Sequence, residues 1–117
     1  MKTVLTKGGV VLYESCRVAN TFVSRFLGLM GKSSVPEDEA LVFPKCNSIH
    51  TFFMKIPIDV IFVSKTGKVI QVFPELHPWR LLLPVKGAAH AIELTSRGAD
   101  RKNIQIGDQL ICPGVFE

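Results

Sequence analysis

A chain of 117 residues with 47% hydrophobic residues is long enough to bury one core, and we expect residues 1–117 to form a single domain. No apolar run reaches the roughly 20 residues of a membrane helix, and the N-terminus lacks the apolar stretch of a signal peptide, so the sequence predicts a cytoplasmic protein with no membrane span. The formal net charge of +4 is spread along the chain, which disfavours a nucleic-acid partner.

The first half of the chain contains predicted strands and one predicted helix. Residues 4–6 and 10–13 flank Gly8-Gly9, a pair that favours a tight hairpin turn, and the second strand continues towards residue 18. Apolar side chains at helical spacing predict a helix over residues 22–30. Residues 40–43 then form a short buried strand that ends at a proline.

The middle of the chain is predicted to be extended. Pro57 disfavours a helix before it, so we expect residues 50–54 to be extended, with His50 and Met54 on one face. Residues 58–64 alternate as a strand whose two faces are both apolar apart from Asp59. A glycine-containing turn joins this strand to its expected hairpin partner, residues 69–73.

The last third combines a long loop with further strands. Residues 74–84 contain three prolines and the only tryptophan, and they predict an aromatic-anchored loop. A strand is expected over residues 88–94, followed by a short helix that Ser96 caps and that ends near Asn103. Residues 110–112 form the last strand. These elements predict an α+β domain that is mainly β, with a compact antiparallel barrel-like or sandwich-like sheet and two short helices.

Four polar side chains interrupt the otherwise apolar run between residues 48 and 62. Each of them costs free energy when buried unless it is hydrogen-bonded or paired. The run therefore either holds the fold together or lines a binding site. The candidate ligand-binding residues are Arg25, His50, Thr51, Lys55, Asp59, Trp79 and Glu93.

The two acidic candidates have structural alternatives. Asp59 stands at the start of a strand, where a carboxylate can accept backbone N–H bonds and hold a neighbouring turn, or can pair with Lys55 or Arg25. Glu93 ends an apolar strand, where it is either a surface charge or a partner of the same two basic residues.

The cysteines offer a metal hypothesis and a catalytic one. Cys46 and His50 are four residues apart, so they could share a zinc ion, or act as nucleophile and base. A structural zinc site needs four ligands, and no second close pair exists in the sequence. Three widely spaced cysteines also argue against a disulfide framework and are typical of small buried side chains. We therefore predict no metal and no cofactor.

A set of short motifs runs from about residue 17 to residue 112. The motifs are Arg25 with Gly28-Leu29-Met30, Ser48-Ile49-His50-Thr51-Phe52-Phe53-Met54, Pro57-Ile58-Asp59, Phe62, Gly67, Pro78-Trp79, Glu93-Leu94 and Gly107-Asp108. Together they resemble the uncharacterised family known as domain of unknown function 192. The resemblance implies a compact, mainly β domain with short helices, and it implies no catalytic residues. Ser96-Arg97-Gly98 departs from the family pattern, in which a glycine follows the Glu-Leu strand directly.

Three functional hypotheses remain open from the sequence. The first is a small binding module whose polar cleft around residues 50–59 takes a small anionic molecule or a peptide. The second is an enzyme, hydrolase-like or of another kind, that uses His50 and Asp59 as acid and base. The third is a structural or protein-interaction domain whose polar residues only satisfy one another. The geometry of the side chains distinguishes these hypotheses.

Overall fold

A computed structural model describes residues 2–19, 38–51 and 54–116. The helix predicted over residues 22–30 lies outside the described residues. The described elements are β1 (Lys2–Lys7), β2 (Val10–Val18), β3 (Glu39–Phe43), β4 (Ile49–His50), β5 (Ile58–Val63), β6 (Val69–Leu76), β7 (Leu81–Leu82), β8 (His90–Thr95), α1 (Gly98–Arg101) and β9 (Leu110–Ile111).

The described strands form one large sheet and one small ribbon. The sheet has seven strands in the order β6-β5-β8-β3-β2-β1-β9 and curls strongly into a half-barrel. Its pairs are antiparallel except for β2 and β3, which are parallel. Strands β4 and β7 make a separate antiparallel ribbon. The prediction of a mainly β domain is confirmed, and of its barrel-like and sandwich-like alternatives the curled sheet is the barrel-like one. Helix α1 is the only helix among the described residues.

The hairpin of β1 and β2 turns as its sequence predicts. Gly8 and Gly9 both have positive φ angles, 57° and 80°, which a two-residue hairpin turn requires and which glycine adopts without steric cost. The second strand continues to Val18, as expected.

Strand β5 is the centre of the fold. All six of its side chains are buried, and the five apolar ones alternate between two apolar clusters on opposite faces of the sheet. The first core cluster includes Tyr13, Ile61, Val63, Ile92, Leu94 and Leu110. The second core cluster includes Phe43, Met54, Ile58, Val60 and Phe62. The strand predicted over residues 58–64 is confirmed from Ile58 to Val63, and Ser64 lies outside it.

The prediction that residues 50–54 are extended, with His50 and Met54 on one face, is wrong. Strand β4 ends at His50, and the Met54 N–H donates to the Thr51 carbonyl at 3.3 Å, a contact that a fully extended segment cannot make; Phe52 and Phe53 lie outside the described residues. His50 is exposed whereas Met54 is buried in the second core cluster. His50 and Met54 therefore do not share the common face that an extended segment would give them.

The prediction of one long loop over residues 74–84 is also wrong. Strand β6 passes through Pro74 to Leu76, and β7 follows at residues 81–82. Because β6 is the outermost strand at its end of the sheet, a proline without an N–H is tolerated there.

The short helix begins one residue later than predicted. Arg97, not Ser96, precedes α1, and it has a left-handed backbone with φ of 68° and no capping hydrogen bond from its side chain. The left-handed end at Asn103, φ 53°, is confirmed. None of the helices in the described part of the chain is long and apolar enough to cross a bilayer.

Candidate functional site

Asp59 is buried and holds three backbone N–H groups. Its Oδ1 accepts from Glu75 and from Arg97, each at 2.9 Å, and its Oδ2 accepts from Ala99 at 2.9 Å. The carboxylate has no exposed surface. It thereby ties β5 to the end of β6 and to the first turn of α1, which is the structural role that a carboxylate at a strand start can perform.

Two of the residues that Asp59 holds are in a strained conformation. Glu75 and Arg97 have left-handed φ angles of 49° and 68°, which bulky residues adopt rarely. Such conformations persist only where surrounding interactions impose them. The two hydrogen bonds that Asp59 Oδ1 accepts, each 2.9 Å, are such an interaction, so this carboxylate shapes both turns.

Thr51 performs a similar task in the loop after β6. Its Oγ1 donates to the His77 carbonyl at 2.7 Å and accepts from the Arg80 N–H at 2.8 Å. Its backbone N–H donates to the Arg80 carbonyl at 2.9 Å, and its carbonyl accepts from the Trp79 N–H at 3.0 Å. Trp79 is left-handed, φ 64°, so a fully buried threonine holds another strained residue.

The remaining candidates on this side are exposed. His50 lies at the end of β4, Lys55 lies on the bend after Met54, and Trp79 has 60% of its surface exposed. Neither Asp59 nor Glu93 forms an ion pair with Lys55, so that predicted pairing is wrong. Arg25 lies outside the described residues.

Glu93 is buried, so its interpretation as a strand-end surface charge is wrong. It lies opposite Leu41 of β3 and Val60 of β5, between two neighbouring strands. Burial raises the pKa of its carboxyl group from 4.5 to about 8. The group is therefore mostly protonated at neutral pH, which avoids the cost of burying its charge.

The described candidates do not converge on one cleft. His50, Thr51 and Trp79 meet at the β4–β7 ribbon. Asp59 points to the face of the first core cluster and is saturated by backbone groups. Glu93 lies on the opposite face, beside Val60 of the second core cluster.

The cysteines show no metal-binding geometry. Cys46 donates its thiol to the Ser48 carbonyl at 2.8 Å. Within residues 2–19, 38–51 and 54–116, no three His, Cys, Asp or Glu side chains gather as metal ligands. Cys16 and Cys112 are buried in the first core cluster, and a hydrogen bond between the two thiols together with burial raises the pKa of Cys16.

Sequence reasoning missed two features. His90 Nδ1 accepts from the Lys45 N–H at 3.0 Å and holds a further left-handed residue, φ 55°. Nothing local in the sequence marks this contact, because the partners are 45 residues apart. The second feature is the exposure of Leu81 and Leu83, which the proline-rich composition of the segment could have suggested.

Comparisons with known proteins agree with the family resemblance. The chain is 37% identical over 106 residues to a UPF0127 protein of Thermococcus sibiricus, covering 87% of this chain and 68% of the relative. A UPF0127 protein of Pyrococcus furiosus is 32% identical over 112 residues, with 91% and 92% covered.

Solved structures show the same fold. A crystal structure of a protein of unknown function from Novosphingobium aromaticivorans superposes with a TM-score of 0.78 at 24% identity, covering 93% of this chain and 83% of that one. The model of the DUF192 family, described as uncharacterized ACR, matches residues 3–112. No specific function is established for these relatives by their names. The chain belongs to the DUF192 family.

Proposed function

We propose that the protein is an interaction module that binds an extended apolar segment of a partner polypeptide. The binding surface is the apolar ridge, which we define as Trp79, Leu81 and Leu83. The observation that carries the proposal is their exposure, which is 60%, 60% and 73% of each residue's surface. Clusters of large exposed apolar side chains mark interaction sites more often than isolated ones do.

The backbone under the ridge is held rigidly. Thr51 binds both the N–H and the carbonyl of Arg80, the residue before Leu81. Its own carbonyl accepts from the N–H of Trp79, which has a left-handed backbone. Leu82 packs inwards against the second core cluster. Since side chains alternate along a strand, the inward Leu82 leaves Leu81 and Leu83 pointing outwards. A rigid presentation lowers the entropy cost of binding.

The edge of β7 favours an extended ligand. Thr51 bonds to Arg80 across the ribbon, so the next pair, His50 with Leu81, is the non-hydrogen-bonded kind in an antiparallel ladder. The N–H and C=O of Leu81 therefore point away from β4. A peptide strand can add to such an edge through its backbone and place alternate side chains on the ridge.

Charge favours an acidic partner segment. Residues 76–92 contain no aspartate or glutamate but include the exposed Arg80 and Lys86. An apolar peptide that also carries a carboxylate would complement this surface.

The positions of His50 and Asp59 disfavour the hypothesis that these two residues act as acid and base. A general base must reach the proton that it removes, directly or through one water. Asp59 is enclosed and already accepts three backbone hydrogen bonds, whereas His50 is exposed on a different element. Asp59 and Thr51 are also unsuited to the polar cleft of the first hypothesis, because their side chains are already hydrogen-bonded to backbone groups.

The experiment selects peptides from a random displayed library against the purified protein. Affinities are then measured by the fluorescence of Trp79, the single tryptophan of the chain. We expect apolar sequences with acidic residues to be enriched, and Leu81→Ser and Leu83→Ser to weaken them at least about tenfold.

The matched controls are Val10→Ser and Ile106→Ser, which remove exposed apolar side chains elsewhere on the protein. They should leave the affinity unchanged. A library without enriched peptides, or peptides that the ridge variants bind as well as the wild type does, would exclude the proposal.

A further inference from the structure

A cavity of about 620 Å³ shares no lining residue with the apolar ridge or with the residues that Asp59 holds. It is bounded by the turn after β3, the β5–β6 turn, the residues before β8 and the C-terminal tail. Its polar lining comes from Lys45, Asn47, Lys65 and His90. The volume lies in the range of small-molecule sites, roughly 300–1,000 Å³.

The charged side chains that line the cavity are all basic. Lys45 and Lys65 both line it, and no acidic residue is among the described residues of the lining. Neither lysine belongs to an ion pair within the described part of the chain. Two ammonium groups without carboxylate partners produce a positive potential that attracts an anion into a concave site.

His90 is a buried polar side chain in the lining of this cavity. It is 6% exposed, and its Nδ1 accepts the Lys45 N–H at 3.0 Å. In the neutral imidazole the proton is therefore on Nε2, which is buried and makes no hydrogen bond to any described residue. The nearest acceptor, the Lys65 backbone, lies outside hydrogen-bond geometry, so this buried donor is incompletely satisfied, and a ligand oxygen would satisfy it.

The surroundings of His90 determine how a ligand reaches Nε2. Phe116 stacks on one face of the imidazole with ring centroids 5.2 Å apart. Because Nε2–H donates in the plane of the ring, this contact does not take the place of a hydrogen-bond acceptor. Burial lowers the pKa of His90, and the backbone of Lys65 opposes that change. The imidazole is thus a neutral donor, and the two lysines supply the charge.

We propose that this cavity binds a small molecule in which one oxyanion, a carboxylate or a phosphate, adjoins a compact apolar group. The oxyanion lies between the Lys45 and Lys65 ammonium groups, with the Asn47 amide as a further donor. The apolar group packs on the side formed by Ala89 and Val115. This site is independent of the peptide surface.

The test is an NMR titration of the ¹⁵N-labelled protein with inorganic phosphate and, separately, with butyrate, at constant ionic strength maintained with chloride. We expect saturable shifts at the amides of residues 45–47, 88–90 and 114–115, and at His90 Nε2. Lys45→Gln and Lys65→Gln should each weaken binding about fivefold, the upper range for one exposed charge pair. Whichever probe binds more tightly identifies the oxyanion.

Lys68→Gln is the matched control, because Lys68 is an exposed lysine close in sequence to Lys65 that does not line the cavity. It should bind both probes as the wild type does. Shifts that do not saturate, that appear outside the cavity, or that weaken equally in Lys68→Gln would overturn the proposal, since they would report charge screening alone. Both target lysines are exposed, so the variants should retain the fold.

Discussion

Asp59 and Glu93 lie on neighbouring strands one register position apart, and for that reason they face opposite sides of the sheet. Asp59 is opposite Leu94, whereas Glu93 is opposite Val60. Leu94 belongs to the first core cluster and Val60 to the second. The two buried carboxyl groups therefore lie on opposite faces of the sheet. Three N–H donors stabilise that of Asp59, and protonation stabilises that of Glu93. They cannot cooperate in one active site.

We expect Asp59→Ala to lower the free energy of unfolding by roughly 3 kcal/mol or more, because it leaves three backbone N–H groups without an acceptor. Asp59→Asn should cost less. Its remaining oxygen can still accept from Glu75 and Arg97, but its NH₂ group then faces the Ala99 N–H. Chemical denaturation measures both values.

Glu75→Gln is the control for the Asp59 variants. It removes the exposed Glu75–Arg97 ion pair, 3.9 Å, but keeps the backbone bond to Asp59. An exposed pair contributes at most about 1 kcal/mol. If Asp59→Ala were no more destabilising than this control, the anchor role would be ruled out.

Glu93 should make stability depend on pH in the direction opposite to that of an ordinary paired carboxylate. Its pKa is about 8 in the folded protein and 4.5 as a free group, so between these values the folded state holds a proton that the unfolded state has lost. Stability therefore falls as pH rises from about 4.5 to 8, by up to roughly 1.4 kcal/mol per pH unit.

The variant Glu93→Gln removes this dependence, so its stability advantage over the wild type should grow between pH 5 and pH 8. Denaturation curves at four or five pH values measure the difference. Glu14→Gln, on an exposed position of β2, controls for the loss of one negative charge. A constant difference between Glu93→Gln and the wild type would show that the folded carboxyl is ionised at neutral pH.

Local patterns predicted the parts of the fold that depend on neighbours in sequence. The Gly8-Gly9 turn and the alternation of residues 58–63 follow from glycine's freedom and from burial on both faces. The parallel pairing of β2 with β3 could not be read in the same way, because it depends on a long connection. Of the four polar residues of the central run, Asp59 and Thr51 satisfy backbone groups of the fold, whereas His50 and Lys55 are exposed.

The positions of the site residues depended on contacts that no short pattern contains. Glu93 is buried because strands from two other parts of the chain flank it, and the charge alone suggested a surface position. The contact of His90 with Lys45 spans 45 residues. In both examples the missing information is which segments cover a residue, and periodicity does not encode that.

We expect Thr51→Val to loosen the loop that carries the apolar ridge. Valine has nearly the same shape, but it leaves the His77 carbonyl and the Arg80 N–H without their side-chain partner, at a cost of about 1–3 kcal/mol. The fluorescence of Trp79 should shift and its anisotropy should fall under native conditions.

Thr66→Val is the matched control, because the Thr66 hydroxyl contacts only the exposed Ser64 hydroxyl, at 3.3 Å, among the contacts described for it. It should change stability by less than about 0.5 kcal/mol and leave the tryptophan signal unaltered. Equal effects of the two substitutions would show that Thr51 does not position the loop.

Arg97→Gly should stabilise the protein, although it removes a side chain. Arg97 has a left-handed φ of 68°, which costs an L residue with a Cβ about 1 kcal/mol or more and costs glycine little. Its ion pair with Glu75 is exposed and long, so little is lost. We expect the free energy of unfolding, measured by chemical denaturation, to rise by about 0.5–1 kcal/mol.

Asp100→Gly, in α1, is the contrasting substitution, because a helical φ gives glycine no advantage. Its free energy of unfolding should fall by up to about 1 kcal/mol. Destabilisation of similar size by both glycines would mean that the turn held by Asp59 is not strained at Arg97.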